Sequence, residues 1–115
     1  MSTTHLRETH VDHTPHERTD LTINDDDDPS DVLQALSSET AQAILGTLRN
    51  EPKPVSDIAE VVDTSLQNAQ YHIGRLVKAD LVEPVDVWYS PKGREMSVYA
   101  LAAEELLVQF GSDGD

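Results

Sequence analysis

The stretch that decides the fold is Val55-Ser56-Asp57-Ile58-Ala59-Glu60-Val61-Val62-Asp63-Thr64-Ser65-Leu66-Gln67-Asn68-Ala69-Gln70-Tyr71-His72-Ile73-Gly74-Arg75-Leu76-Val77-Lys78-Ala79. Val55, Ile58, Ala59 and Val62 recur at i, i+3, i+4 and i+7, the period of a short amphipathic helix with Ser56 as its cap. Asp63 makes a tight break. Thr64-Ser65-Leu66-Gln67 then reads as a capping box, Thr64 bonding forward and Gln67 back. A longer helix follows to about Ala79, with Leu66, Ala69, Ile73, Leu76 and Val77 as its buried stripe. On a helical wheel the side opposite Leu66 and Ile73 carries Thr64, Asn68, Tyr71, Arg75 and Lys78, with Gln67 and His72 at the margins. From Ser65 to Ala79 there is no Asp or Glu.

Outward from this pair, two more helices precede it. Ser30 caps the first, with Asp31 in its opening turn and Val32, Leu33 and Leu36 as its stripe. The second starts at Ser37-Ser38-Glu39 and places Ala41, Ile44, Leu45 and Leu48 on one face. Asn50-Glu51-Pro52-Lys53-Pro54 ends it, because proline cannot continue the helical bonding. After Asp80 the period changes. The runs Leu81–Tyr89 and Glu95–Leu101 are rich in β-branched and aromatic residues, and Ser90-Pro91-Lys92-Gly93-Arg94 between them fits a type I turn. This is a β-hairpin in which Trp88 and Tyr89 face opposite sides. Residues 102–110 fit either a last helix or a short strand. A short helix turned onto a longer one, followed by a hairpin, is a winged helix-turn-helix. The fold class expected is mainly α with a β-hairpin wing.

The chain has 115 residues with 22 acids and 8 Lys plus Arg, a formal charge of −14. Residues 1–29 read as a disordered acidic arm of net charge −6, ending in Asn24-Asp25-Asp26-Asp27-Asp28-Pro29. Its sparse apolar residues cannot offset the entropy of ordering. Residues 30–110 form the domain. In the arm, His10, His13 and His16 are spaced by three and would line one side of a helix, with Asp12 or Glu17 as a further metal ligand. The plainer reading is a polar tail with no scaffold to fix ligands, and no metal or cofactor is expected. There is no Cys, hence no disulfide, thiolate site or Cys nucleophile. No apolar run reaches the length of a membrane span. The N-terminus lacks an apolar signal region, so a cytoplasmic location is expected. No nucleophile–base constellation or phosphate loop argues for an enzyme, and none is expected.

The outward face of the longer helix holds the side chains that read base edges, Asn and Gln for adenine and Arg for guanine. Lys92 and Arg94 stand at the wing tip, where positive charge meets the phosphate backbone. The residues expected to contact double-stranded DNA are therefore Thr64, Ser65, Gln67, Asn68, Tyr71, His72, Arg75 and Lys78 from the helix and Lys92 and Arg94 from the wing. On this reading Arg75→Ala loses discrimination between sites, whereas Lys92→Ala weakens all sites alike. A second reading makes the winged helix a protein-interaction module, an adaptor or DNA mimic whose acidic surface and arm meet a basic partner. The acid-free face favours DNA.

Residues 31–101 resemble the winged helix-turn-helix of ArsR-like transcriptional regulators, particularly forms common in halophilic archaea. The resemblance rests on Leu36-Ser37-Ser38-Glu39-Thr40 with Ile44-Leu45, on Val55–Ala59, on Gln70-Tyr71-His72-Ile73-Gly74-Arg75-Leu76, on Ala79–Glu83, and on Trp88–Met96 with Val98-Tyr99-Ala100. It implies a DNA-binding regulator that forms a homodimer through the first and last elements of the domain, here Val32, Leu33, Leu36, Leu106, Leu107 and Phe110. Many metal-sensing members carry two cysteines in the short helix. Here that helix reads Asp57–Asp63 without a thiol, and Asp57, Glu60 and Asp63 read as a solvated face. The halophile reading also accounts for the charge. At 1 M salt the Debye length is about 3 Å, so remote carboxylates scarcely repel DNA.

Overall fold

The computed structural model describes residues 13–23 and 29–111. Their elements, in chain order, are β1 (Thr19–Thr22), α1 (Ser30–Leu36), α2 (Glu39–Leu48), β2 (Lys53–Pro54), α3 (Val55–Val61), α4 (Leu66–Lys78), β3 (Val82–Tyr89), β4 (Glu95–Leu101) and β5 (Leu106–Gln109). The four helices enclose one core, in which Ile44, Ile58, Ile73 and Leu76 are fully buried. Val82 and Val98 close it from the sheet.

The helix ends follow local chemistry, with some shifts from the sequence expectation. Ser38 caps α2, its Oγ accepting the N–H groups of Thr40 and Ala41 at 3.1 and 3.3 Å. Ser30 is instead the first residue of α1 and Pro29 its cap; Pro54 likewise precedes α3, so Ser56 lies inside that helix. In both cases proline's fixed φ suits a helix entry that needs no N–H. The cap of α4 is Ser65, whose Oγ accepts the N–H of Asn68 at 3.0 Å. The expected Thr64–Gln67 box does not form: the cap falls one residue later, at Ser65, and Thr64 Oγ1 instead accepts the Asn68 side-chain amide at 2.9 Å.

Both α3 and α4 stop in the same way. Asp63 and Asp80 take left-handed φ values of 59° and 64°. After α3, Thr64 N–H donates to Ala59 O and Asp63 N–H to Glu60 O; after α4, Leu81 N–H donates to Leu76 O and Asp80 N–H to Val77 O. These paired bonds satisfy carbonyls that a helix C-terminus otherwise leaves bare. The first of these reversals is the tight turn that sets α4 against α3.

The hairpin β3–β4 is antiparallel, from Val82 opposite Leu101 to Tyr89 opposite Glu95, with an irregularity between Pro84 and Asp86. The short β2 adds a third strand on the far side of β4, Lys53 opposite Tyr99. Pro84 is thus on an edge strand, where a missing N–H is tolerated. At the tip, Gly93 N–H donates to Ser90 O at 2.8 Å and Gly93 has φ 81°. This is the pattern of a type I turn closed by a left-handed glycine.

The N-terminal segment departs most from expectation. Within residues 13–23, read from sequence as disordered arm, β1 pairs in parallel with β5, Thr19 opposite Leu106 and Thr22 opposite Gln109. His16 bridges to Ala103, and the His13 ring sets Nε2 2.8 Å from Leu101 O and 3.2 Å from the Glu83 carboxylate. The stabilising partner is remote in sequence, so local composition could not reveal it. The chain at His13 and His16 lies alongside 101–106 and does not form the helix that would align their rings. Among the described residues no group of three or more His, Asp, Glu or Cys could hold a metal ion. His10, Asp12 and the Asp25–Asp28 run lie outside the described residues. The segment 102–110, left open between helix and strand, supplies β5.

Candidate nucleic-acid interface

Helix α4 buries Ala69, Ile73 and Leu76, three residues spaced i, i+4 and i+7. Opposite them Gln67, Tyr71, Gly74 and Lys78 are exposed, flanked by Gln70 and Leu66. Leu66, expected in the core stripe, is 49% exposed because the buried side centres on Ala69 and Ile73. The outward face is accordingly turned toward Gln70 and Gly74, two residues the sequence reading did not select. The signal was the small Ala69, which marks a closely packed side, whereas the larger Leu66 drew the wheel away from it.

The other expected contacts are placed less freely. Thr64, Asn68, His72 and Arg75 are half-buried. Asn68 spends its amide on Thr64, and Ser65, though exposed, caps the helix. The Arg75 guanidinium donates through Nη1 to the Tyr71 hydroxyl and through Nη2 to Gln34 Oε1 on α1, each at 3.1 Å. It also stands 5.8 Å from the centroid of the Tyr71 ring, within cation–π range. Tyr71 itself is 56% exposed.

The wing lies beside this face. A groove of about 380 Å³ has Leu66, Gln70, Ile73 and Gly74 of α4 on one wall and Arg94, Glu95, Met96 and Ser97 of the hairpin on the other. At the tip Lys92 and Arg94 are exposed, and their backbone N–H groups both donate to Ser90 Oγ, which braces the turn. Tyr89 is 65% exposed and Trp88 is half-buried. No acid lies on α4, and Arg75 and Lys78 occupy its last turn, where they complement the helix dipole.

Four helices and a wing set in this way define the architecture. The domain is a winged helix-turn-helix. Residues 36–85 match the family model described as a helix-turn-helix domain. Among solved structures, the chain is similar to the homodimeric winged helix-turn-helix DNA-binding domain of Mb0332 from Mycobacterium bovis, described as a possible ArsR-family transcriptional regulator. The identity is 24%, over 65% of this chain and 64% of that one, with a TM-score of 0.52. This chain thus spans just under two thirds of the mycobacterial domain. It is similar also to an ArsR family transcriptional regulator at 28% identity, over 63% and 72% of the two chains, with a TM-score of 0.50. NolR from Sinorhizobium fredii shares 20% identity over 65% and 69%, with a TM-score of 0.52. A search of the curated proteins finds no match.

The residues expected at a dimer interface divide in two. Leu33, Leu107 and Phe110 are exposed, Phe110 at 89%. Val32, Leu36 and Leu106 are half-buried against the core, and Leu36 and Leu106 line one shallow groove. Among the described residues no helix is long and apolar enough to cross a membrane.

Proposed function

We propose that the protein is a sequence-specific, double-stranded-DNA-binding transcriptional regulator of the ArsR-like type. The observation that carries this reading is the acid-free outward face of α4 beside the basic wing tip, in a chain of net charge −14. Helix α4 enters the major groove with its N-terminal half on base edges, as recognition helices do. Gln67, Gln70 and Tyr71 meet the bases, while Lys78, Lys92 and Arg94 meet phosphates and set the register. Thr64, Ser65, Asn68, His72 and Arg75 support that face. The ArsR-family resemblance of similar structures supports the reading.

The working form is a homodimer in the cytoplasm, joined through Val32, Leu33, Leu36, Leu106, Leu107 and Phe110. The exposed Leu33, Leu107 and Phe110 support it, as does the homodimeric state of the mycobacterial domain. Two recognition helices then fall on half-sites about 34 Å apart. The acidic composition fits a haloarchaeal cell interior, where salt shortens the reach of the carboxylates. Gel shifts on genomic fragments in molar potassium salt test the function. Retention of a discrete set of fragments supports it, and retention of none overturns it.

A further inference from the structure

The chemistry of the exposed helix face specifies which base pairs it reads, given the DNA-binding reading above. The commonest reader of guanine is Arg, bidentate to O6 and N7. The only Arg on α4 is Arg75, and its guanidinium is already committed, Nη2 to Gln34 on α1 and Nη1 to the Tyr71 hydroxyl. What stands exposed at the N-terminal half is Leu66, Gln67, Gln70 and Tyr71, the last held through its hydroxyl by Arg75. Two of these carry carboxamides, whose paired donor and acceptor match adenine N7 and N6. Leu66 and Gln70 are neighbours at i, i+4. A half-exposed leucine on the rim of a groove loses apolar surface to water unless a ligand covers it, and the thymine C5-methyl is the apolar group that the major groove offers. Gly74, one turn further along the same row, adds no side chain, and a Cβ built there meets nothing within 4 Å. The row is therefore open to close approach.

We infer that α4 reads A·T pairs, Gln67 and Gln70 bonding adenine and Leu66 covering a thymine methyl, with Arg75 as a positioning residue for Tyr71. Arg75 thereby loses the guanine-reading role expected of it from sequence, and its removal weakens all duplexes by a similar factor without changing the preferred bases.

Selection of bound duplexes from a random pool by the full chain in molar potassium chloride, followed by titration of single substitutions, tests this. A·T pairs should dominate the central contacted positions of each half-site. Replacing one thymine by uracil should weaken wild-type binding about fourfold at a single position, the worth of a buried methyl-sized group. Leu66→Ala should abolish that thymine–uracil difference. Gln70→Ala should remove the preference for adenine at one position, a loss of roughly five- to 150-fold. Arg75→Ala should keep the selected sequence. Selection of G·C pairs that disappears with Arg75→Ala overturns the inference while leaving DNA binding intact. So does indifference to uracil at every position. Recovery of no DNA overturns this inference and the proposed function together.

Discussion

Two aspartates turn the chain on either side of α4. Asp63 sets α4 against α3, and Asp80 sends the chain from α4 into the wing, both with positive φ. Left-handed backbone costs an L-residue energy that glycine does not incur, although Asp tolerates it better than most. Asp80→Gly should therefore raise stability by about 0.5–1 kcal/mol, and Asp80→Val should lower it by about 1–2 kcal/mol. Thermal melts in molar salt check both, since 1 kcal/mol moves Tm by about 4–8 °C in a domain of this size. Ser65→Ala leaves an N–H of α4 uncapped and should cost about 1 kcal/mol. Gly74 lies mid-helix with open space around it. Gly74→Ala should accordingly stabilise the helix by about 0.5–1 kcal/mol. If the row Leu66–Gln70–Gly74 lies against DNA, the same change should weaken operator binding in a gel shift, so that stability and affinity move in opposite directions.

Among the elements, the parallel pair β1–β5 stands apart, since it is separate from the three-stranded sheet of the wing. A two-stranded ribbon is marginal without something to pack on, and here half-buried Leu106 ties it to the core. A chain starting at Asn24 lacks β1. Its Leu106–Gln109 amides should exchange quickly with solvent, while those of α4 and β4 keep their protection. Hydrogen exchange followed residue by residue reads this directly, and unchanged protection of β5 would mean that β1 does not hold it. Binding to a single half-site should survive the truncation, because neither α4 nor the wing tip draws on β1, whereas joining of two copies through Leu106, Leu107 and Phe110 should weaken. Between helices, Ile58 of α3 is fully buried, and Ile58→Ala should cost about 2–5 kcal/mol through lost burial and the cavity left behind.

For the molecule as a whole, charge is the governing quantity. At −14 the folded chain repels itself in dilute buffer, and molar salt shortens the range of that repulsion to about 3 Å. The melting temperature should therefore climb steadily from dilute buffer to molar potassium chloride, followed by circular dichroism. A Tm indifferent to salt would remove the basis for a high-salt habitat. DNA binding should fall with salt less steeply than it does for a strongly basic protein, because three cations per protomer, Lys78, Lys92 and Arg94, are proposed to release counterions.

The sequence by itself determined the helical core, the break before α4, the hairpin and the acid-free face, because each is written within a few residues of chain. The stripe Ala41, Ile44, Leu48 and the run Ser90–Arg94 needed no distant partner to be recognised. Tertiary structure decided what depends on contacts across the chain. It paired Thr19–Thr22 with Leu106–Gln109, added Lys53–Pro54 to the edge of β4, and drew Arg75 to Gln34. It also rotated α4 so that Leu66 and Gln70, rather than Asn68, stand outward. Periodicity fixes which residues share a side of a helix, but only the packing of α4 on its neighbours sets which side is covered.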